Sequence, residues 1–111
     1  MKDIISYDDF SKLDLVVGCI KDASPIENSE KLLELSVDLG DGYGTVTILA
    51  GIAQQYAPDD LKGKNYIFLA NLQPRKMMGK TSQGMMLAGD IDGAPALIEV
   101  SPQIAVGTRL C

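Results

Sequence analysis

The sequence predicts an all-β domain, a small barrel of five or so short strands. Apolar and polar residues alternate with a period of two from Lys31 to Leu39, with Leu33, Leu35, Val37 and Leu39 on one side and Glu34, Ser36 and Asp38 on the other. Runs rich in β-branched and apolar residues recur at 15–20, 45–50 and 66–70. Between them lie turns rich in Gly, Pro and Asp, and only short stretches read as helical.

Taken in order, Ser6 is placed to cap a short helix over about 7–12, with Asp9 three residues on, near the positive end of the helix dipole. Phe10 and Leu13 share one face of it, which needs a partner in the barrel or in another subunit. Residues 15–20 form the first strand, and Gly18 inside it suggests a bend or bulge. Residues 23–30, with Pro25 and Asn28, read as a loop. The alternating strand follows, and Gly40, Gly42 and Gly44 supply positive-φ positions for the hairpin into 45–50. Residues 53–61 form a short helical connection to the strand at 66–70. Residues 71–82 read as a long loop and 85–88 as a fourth strand. After the turn at 90–93, residues 96–100 are expected to pair back, and the tail 106–110 to add an edge. This pattern fits a closed or nearly closed barrel. The OB type leads, and periodicity alone leaves an SH3-like barrel open. The expectation is an all-β, five-stranded OB-fold barrel with short flanking helices and a C-terminal extension, residues 1–111 forming a single domain.

Composition excludes several functions. There is no His, so the commonest general base and metal ligand is missing and a Ser or Cys triad of the usual kind cannot be built. Cys19 and Cys111 stand far apart with no Cys-x-x-Cys pair, which argues against both a zinc site and a disulfide framework. No enzyme, metal or cofactor is expected. No apolar run approaches the ~20 residues of a membrane span, and the N-terminus, with Asp3, Asp8 and Asp9, is no secretory signal. A cytoplasmic protein with no membrane partner is expected. The net charge of −5 argues against indiscriminate polyanion binding.

Against that acidity stands a basic island. Residues 61–89 hold Lys62, Lys64, Arg75, Lys76 and Lys80, five of the ten cations, and none of the 15 carboxylates. Gly79-Lys80-Thr81-Ser82 resembles the end of a P-loop, but Pro74 stands where that motif needs Gly. Gly40, Gly42 and Gly44 fail the dinucleotide fingerprint, because Thr45 stands where it needs Gly. The island reads either as a solvated loop or as a phosphate-contacting loop on a barrel face. In the second reading Arg75 forks onto a phosphate, Lys76 and Lys80 act as point charges, and Ser82 donates to phosphate or sugar. Asn71 reaches a base edge or, equally well, orders the loop. Of the four Met between 77 and 86, alternation leaves Met78 and one of Met85 and Met86 exposed. With only six aromatics in the chain, base stacking is a poor fit and recognition of a folded RNA by shape and backbone a better one.

The ordered set of short pieces resembles the tRNA-binding domain of bacterial methionyl-tRNA synthetases and their stand-alone relatives. The pieces are Asp14-Leu15-Val16-Val17-Gly18, Asn28-Ser29-Glu30-Lys31-Leu32, Val37-Asp38-Leu39-Gly40, Ala50-Gly51-Ile52, Leu61-Lys62-Gly63-Lys64, Asn71 to Lys76, and Ser82 to Leu87. The resemblance implies an OB fold that binds the outer corner of tRNA with limited preference among tRNA species. It also implies a homodimer held by the first helix and the C-terminal segment, and methionyl-tRNA synthetase as a partner. By the same resemblance Lys31, Arg75, Lys76, Ser82 and Met85 contact tRNA; with Asn71 and Lys80 they complete the expected site. Val16, Val46 and Met78 stand where the family often carries Arg, which implies weak binding. An alternative role on this fold is a peptide-binding dimer resembling a secretion chaperone. Met1 and a compact end at Cys111 suggest a stand-alone chain, and a segment of a longer synthetase would look the same.

Overall fold

The computed structural model describes residues 1–111. In order, the elements are α1 (Tyr7–Phe10), β1 (Leu15–Pro25), β2 (Leu33–Asp38), β3 (Thr45–Ala50), α2 (Pro58–Leu61), β4 (Asn65–Leu69), β5 (Arg75–Met77), β6 (Lys80–Ser82), β7 (Met85–Met86), β8 (Gly89–Ile91) and β9 (Ala94–Ala96). Five strands form one antiparallel sheet in the order β3-β2-β1-β4-β7, curled into a nearly closed barrel. This is the expected all-β, OB-like architecture.

β2 shows why the curl is stable. Its residues alternate buried and half-buried along the strand, with Leu33, Leu35 and Val37 inside. Ile20 and Ile48 stand beside them on the paired strands β1 and β3, and Phe68 of β4 joins the same cluster, all buried. Each such side chain removed from water contributes about 1.5–3 kcal/mol. α2 begins at Pro58, whose missing N–H costs nothing in the first turn, and it delivers the fully buried Leu61 to the same core.

β1 is longer than the sequence predicts. Ala23, Ser24 and Pro25, expected in a loop, pair with Leu35, Glu34 and Leu33. A register shift between Ile20 and Asp22 bends the strand, so that its first half pairs with β4 and its second with β2. Gly18 is not the bulge. It is a close-approach site: a Cβ there would sit 2.7 Å from Phe68 Cδ1 and 2.8 Å from Leu39 Cδ2. The tail follows the free side of β1, where Val17 donates to the Thr108 carbonyl at 2.9 Å and Gly107 and Leu110 donate to the Val17 and Leu15 carbonyls at 2.8 Å.

Two other expectations change. Residues 71–82 are not wholly loop, because β5 and β6 form a two-stranded ribbon within them. The final hairpin joins β8 to β9 through Asp92 and Gly93, so the returning strand is Ala94–Ala96 and not 96–100. The Ser6 cap is present, with its Oγ accepting from Asp9 N–H at 3.1 Å, and α1 ends at Phe10.

Candidate nucleic-acid interface

The ribbon is the part of the basic island that projects from the barrel. Arg75 pairs with Ser82, Lys76 with Thr81 and Met77 with Lys80. Met78 and Gly79 make the turn, with φ of 53° and 77°. A two-residue type I′ turn requires positive φ at both central positions. Gly accepts this freely; for Met it costs on the order of 1 kcal/mol. Met78 is left half exposed at the tip.

The root of the ribbon is clasped to β3. Leu49 N–H donates to Ser82 Oγ at 3.0 Å, Ser82 Oγ–H donates to the Gly84 carbonyl at 3.1 Å, and Gln83 N–H donates to the Thr47 carbonyl at 2.8 Å. These bonds bridge the two free edges of the sheet, β3 and β7. Gly84 makes room for them: its φ is 130°, and a Cβ would lie 2.9 Å from the Leu69 carbonyl oxygen.

The residues expected to touch RNA divide into two groups. Arg75, Lys76 and Lys31 are exposed and join no ion pair. Met85 lies exposed on β7 beside the buried Met86. The others are occupied. Ser82 is 1% exposed and its hydroxyl is spent on the clasp. Asn71 accepts from Asp14 N–H at 2.9 Å and donates to the Lys12 carbonyl at 2.6 Å, tying the exit of α1 to the end of β4. Lys80 reaches across to Glu34 at 3.2 Å.

The island is also less free than its sequence suggests. Lys62 sits 3.3 Å from Asp22 and 3.6 Å from Asp59, and Lys64 is 3.9 Å from Glu99. A hydrogen bond from Lys62 holds the Asp22 carboxyl below its ordinary value and raises Lys62 in return. Within the island the unpaired cations are therefore Arg75 and Lys76 of β5; outside it Lys2, Lys21, Lys31 and Arg109 also join no ion pair. Lys31 stands just before β2, and Glu34 of β2 touches the ribbon through Lys80. Glu34 was invisible as a neighbour of the island, because alternation turns it outward without naming what it meets.

A second surface is apolar. A groove of about 480 Å³, lined in part by Val17, Ile67, Ile98, Ile104 and Leu110, runs under the C-terminal segment. It adjoins a hollow between α1 and the tail, lined by Tyr7, Phe10, Leu13 and again Leu110. Tyr7 in its lining is exposed, as are Ile4 and Ile5 just before α1 in the chain. No helix of the chain is long and apolar enough to cross a membrane.

The chain is 42% identical over 110 residues to a methionine–tRNA ligase of Archaeoglobus fulgidus and 44% identical over 110 residues to that of Methanobrevibacter smithii. It spans 99% of itself but only about 16% of the length of either relative. Among solved structures it is similar to a MetRS-related protein from Pyrococcus horikoshii (TM-score 0.92, 38% identity, 99% of this chain and 100% of that one). It is similar also to the chaperone CsaA from Bacillus anthracis (TM-score 0.86, 25% identity, 98% and 100%). Residues 15–109 match the model of the family described as putative tRNA binding domain, and to that family the chain belongs.

Proposed function

We propose that this chain is a non-catalytic module that grips the outer corner of tRNA by shape and backbone, acts as a homodimer and assists methionyl-tRNA synthetase. The observation that carries the reading is the ribbon. On a chain with net charge −5, Arg75 and Lys76 are exposed and bound to no carboxylate, on a hairpin clasped to the barrel. Lys31, exposed and in no ion pair, is the third cation of the proposed grip. Arg75 offers a planar fork to a phosphate, and the two lysines offer compact charge. Ser82 and Asn71 enter as positioning residues, since their polar atoms already hold backbone groups. Met85 supplies apolar contact beside the ribbon. With so few cations the grip is weak, and two linked copies strengthen it through effective concentration. The apolar surface shared by α1 and the tail supports pairing with a second copy.

The apolar groove also favours a second reading, a peptide-binding dimer, because a solved chaperone has the same fold. An electrophoretic shift with bulk tRNA at two salt concentrations separates the two. The tRNA reading expects retention at low salt that fades by about 0.9 log units per phosphate contact for each tenfold rise in salt. It also expects loss of the shift when Lys31, Arg75 and Lys76 are all changed to Ala. A shift that survives the triple change overturns this site, and no shift at low salt overturns the function.

A further inference from the structure

OB-type barrels commonly bind oligonucleotides on a strand face. Here the outer face of β1, β2 and β3 forms a hollow of about 230 Å³ lined by Asp22, Ser24, Glu34, Ser36 and Thr47, with no cation among the lining residues. The lysines that meet its carboxylates reach in from elsewhere, Lys62 from the end of α2 and Lys80 from the ribbon. The Lys80 contact is the informative one. β6 forms no ladder with β2, so Lys80–Glu34 is the ion pair that joins the ribbon to the sheet. Its side chains are 43% and 32% exposed, less wet than the 76% and 51% of Lys12–Asp9. Glu34 sits where an RNA phosphate would have to come to reach Lys80 from this face.

We propose that Glu34 is a specificity-determining residue that excludes RNA from the strand face and holds Lys80 in place of a phosphate. This rests on the tRNA reading above. Glu34 thereby turns the polyanion away from Lys80 and leaves Arg75, Lys76 and Lys31 to meet it, and it caps the affinity. A phosphate approaching Lys80 must displace a carboxylate already there and meets Asp22 beyond it.

The test is Glu34→Gln, which keeps the shape and removes the charge. Bulk tRNA is expected to bind about threefold to tenfold tighter at low salt, with a salt slope steeper by about one unit. Lys80→Ala is expected to cost more in the Glu34→Gln background than in the unmodified chain. A second measurement needs no RNA: the Lys80 amine should be acylated faster by a water-soluble active ester in Glu34→Gln, while Lys12 is unchanged. Equal Lys80 labelling overturns the lock, and equal tRNA affinity and slope overturn the exclusion. If neither protein binds tRNA at low salt, the tRNA reading fails, and the labelling still decides whether Glu34 restrains Lys80.

Discussion

The backbone N–H of Leu49 in β3 donates to the Ser82 hydroxyl at 3.0 Å, and that hydroxyl donates its own proton to the Gly84 carbonyl at 3.1 Å. One side chain thus satisfies two backbone groups at the seam where the sheet would otherwise lie open. It also fixes where the ribbon leaves the barrel, because Ser82 pairs with Arg75. Its neighbours Thr81 and Gln83 are exposed, while Ser82 is buried.

Ser82→Ala should therefore act on stability. Leu49 N–H loses its acceptor in a site with no room for bulk water. An unmet buried group costs about 1–3 kcal/mol. A urea titration should show a lower midpoint with an unchanged slope. Any loss of tRNA affinity should track the fraction unfolded, or the loosening of Arg75 across the ribbon. A midpoint equal to that of the unmodified chain would contradict the clasp.

Gly18→Ala probes a close approach in the core. The new methyl group would lie 2.7 Å from the Phe68 ring and 2.8 Å from Leu39, both fully enclosed. Overpacking of this kind costs about 1–3 kcal/mol. Replacing Phe68 with Leu makes space, so the double variant Gly18→Ala/Phe68→Leu should lose less than the sum of the two single changes. A double-mutant cycle in thermal unfolding reads this coupling, and strict additivity would count against the contact.

These residues show what was legible in the sequence. The alternation from Leu33 to Leu39, the Gly40–Gly44 turn and the strand cores were visible because burial imposes a local period. Three features were hidden for physical reasons. Pro25 reads as a strand breaker, yet it stands at the very end of β1, where a missing N–H is tolerated. The ribbon turn at Met78-Gly79 lacks the Asn or Asp that usually precedes Gly in a type I′ turn, so nothing announced a hairpin. Pro95 likewise demotes the run 94–96 that proves to be β9. In the candidate site, Arg75 and Lys76 were readable as charge. The commitments of Asn71 to Lys12 and Asp14, and of Lys80 to Glu34, depend on partners distant in sequence.

Alkaline pH should destabilise the fold. Burial raises the Tyr66 phenol above its ordinary value, and the hydrogen bond to Asp14 does the same for Tyr43. A group whose folded value is raised contributes stability that is complete below its unfolded value, about 10 for tyrosine, and is lost as pH rises through the folded value. The raised Lys62 adds a contribution of the same sign. Urea midpoints should therefore be flat from pH 7 to about 9 and fall above 10. Tyr66→Phe should flatten part of that fall, and should remove a late-ionising component from the tyrosinate absorbance titration. Equal alkaline slopes for Tyr66→Phe and the unmodified chain would rule out the buried phenol as a cause.

Charge reversal separates a local grip from a general electrostatic effect. Lys76 stands on β5, exposed and unpaired, while Lys12 lies at the other end of the chain beside Asp9 at 3.5 Å. Both changes to Glu shift net charge by the same amount, so any effect of overall charge must be equal for the two. If phosphates meet the ribbon, Lys76→Glu should weaken tRNA binding by at least about tenfold, since it removes a charge-assisted bond and adds repulsion. It should also flatten the salt dependence by about one unit. Lys12→Glu should cost far less, because Lys12 lies off the ribbon and its charge is already met by Asp9. Filter binding with both variants at 50 and 150 mM salt gives the comparison, and equal losses would place the RNA away from the ribbon.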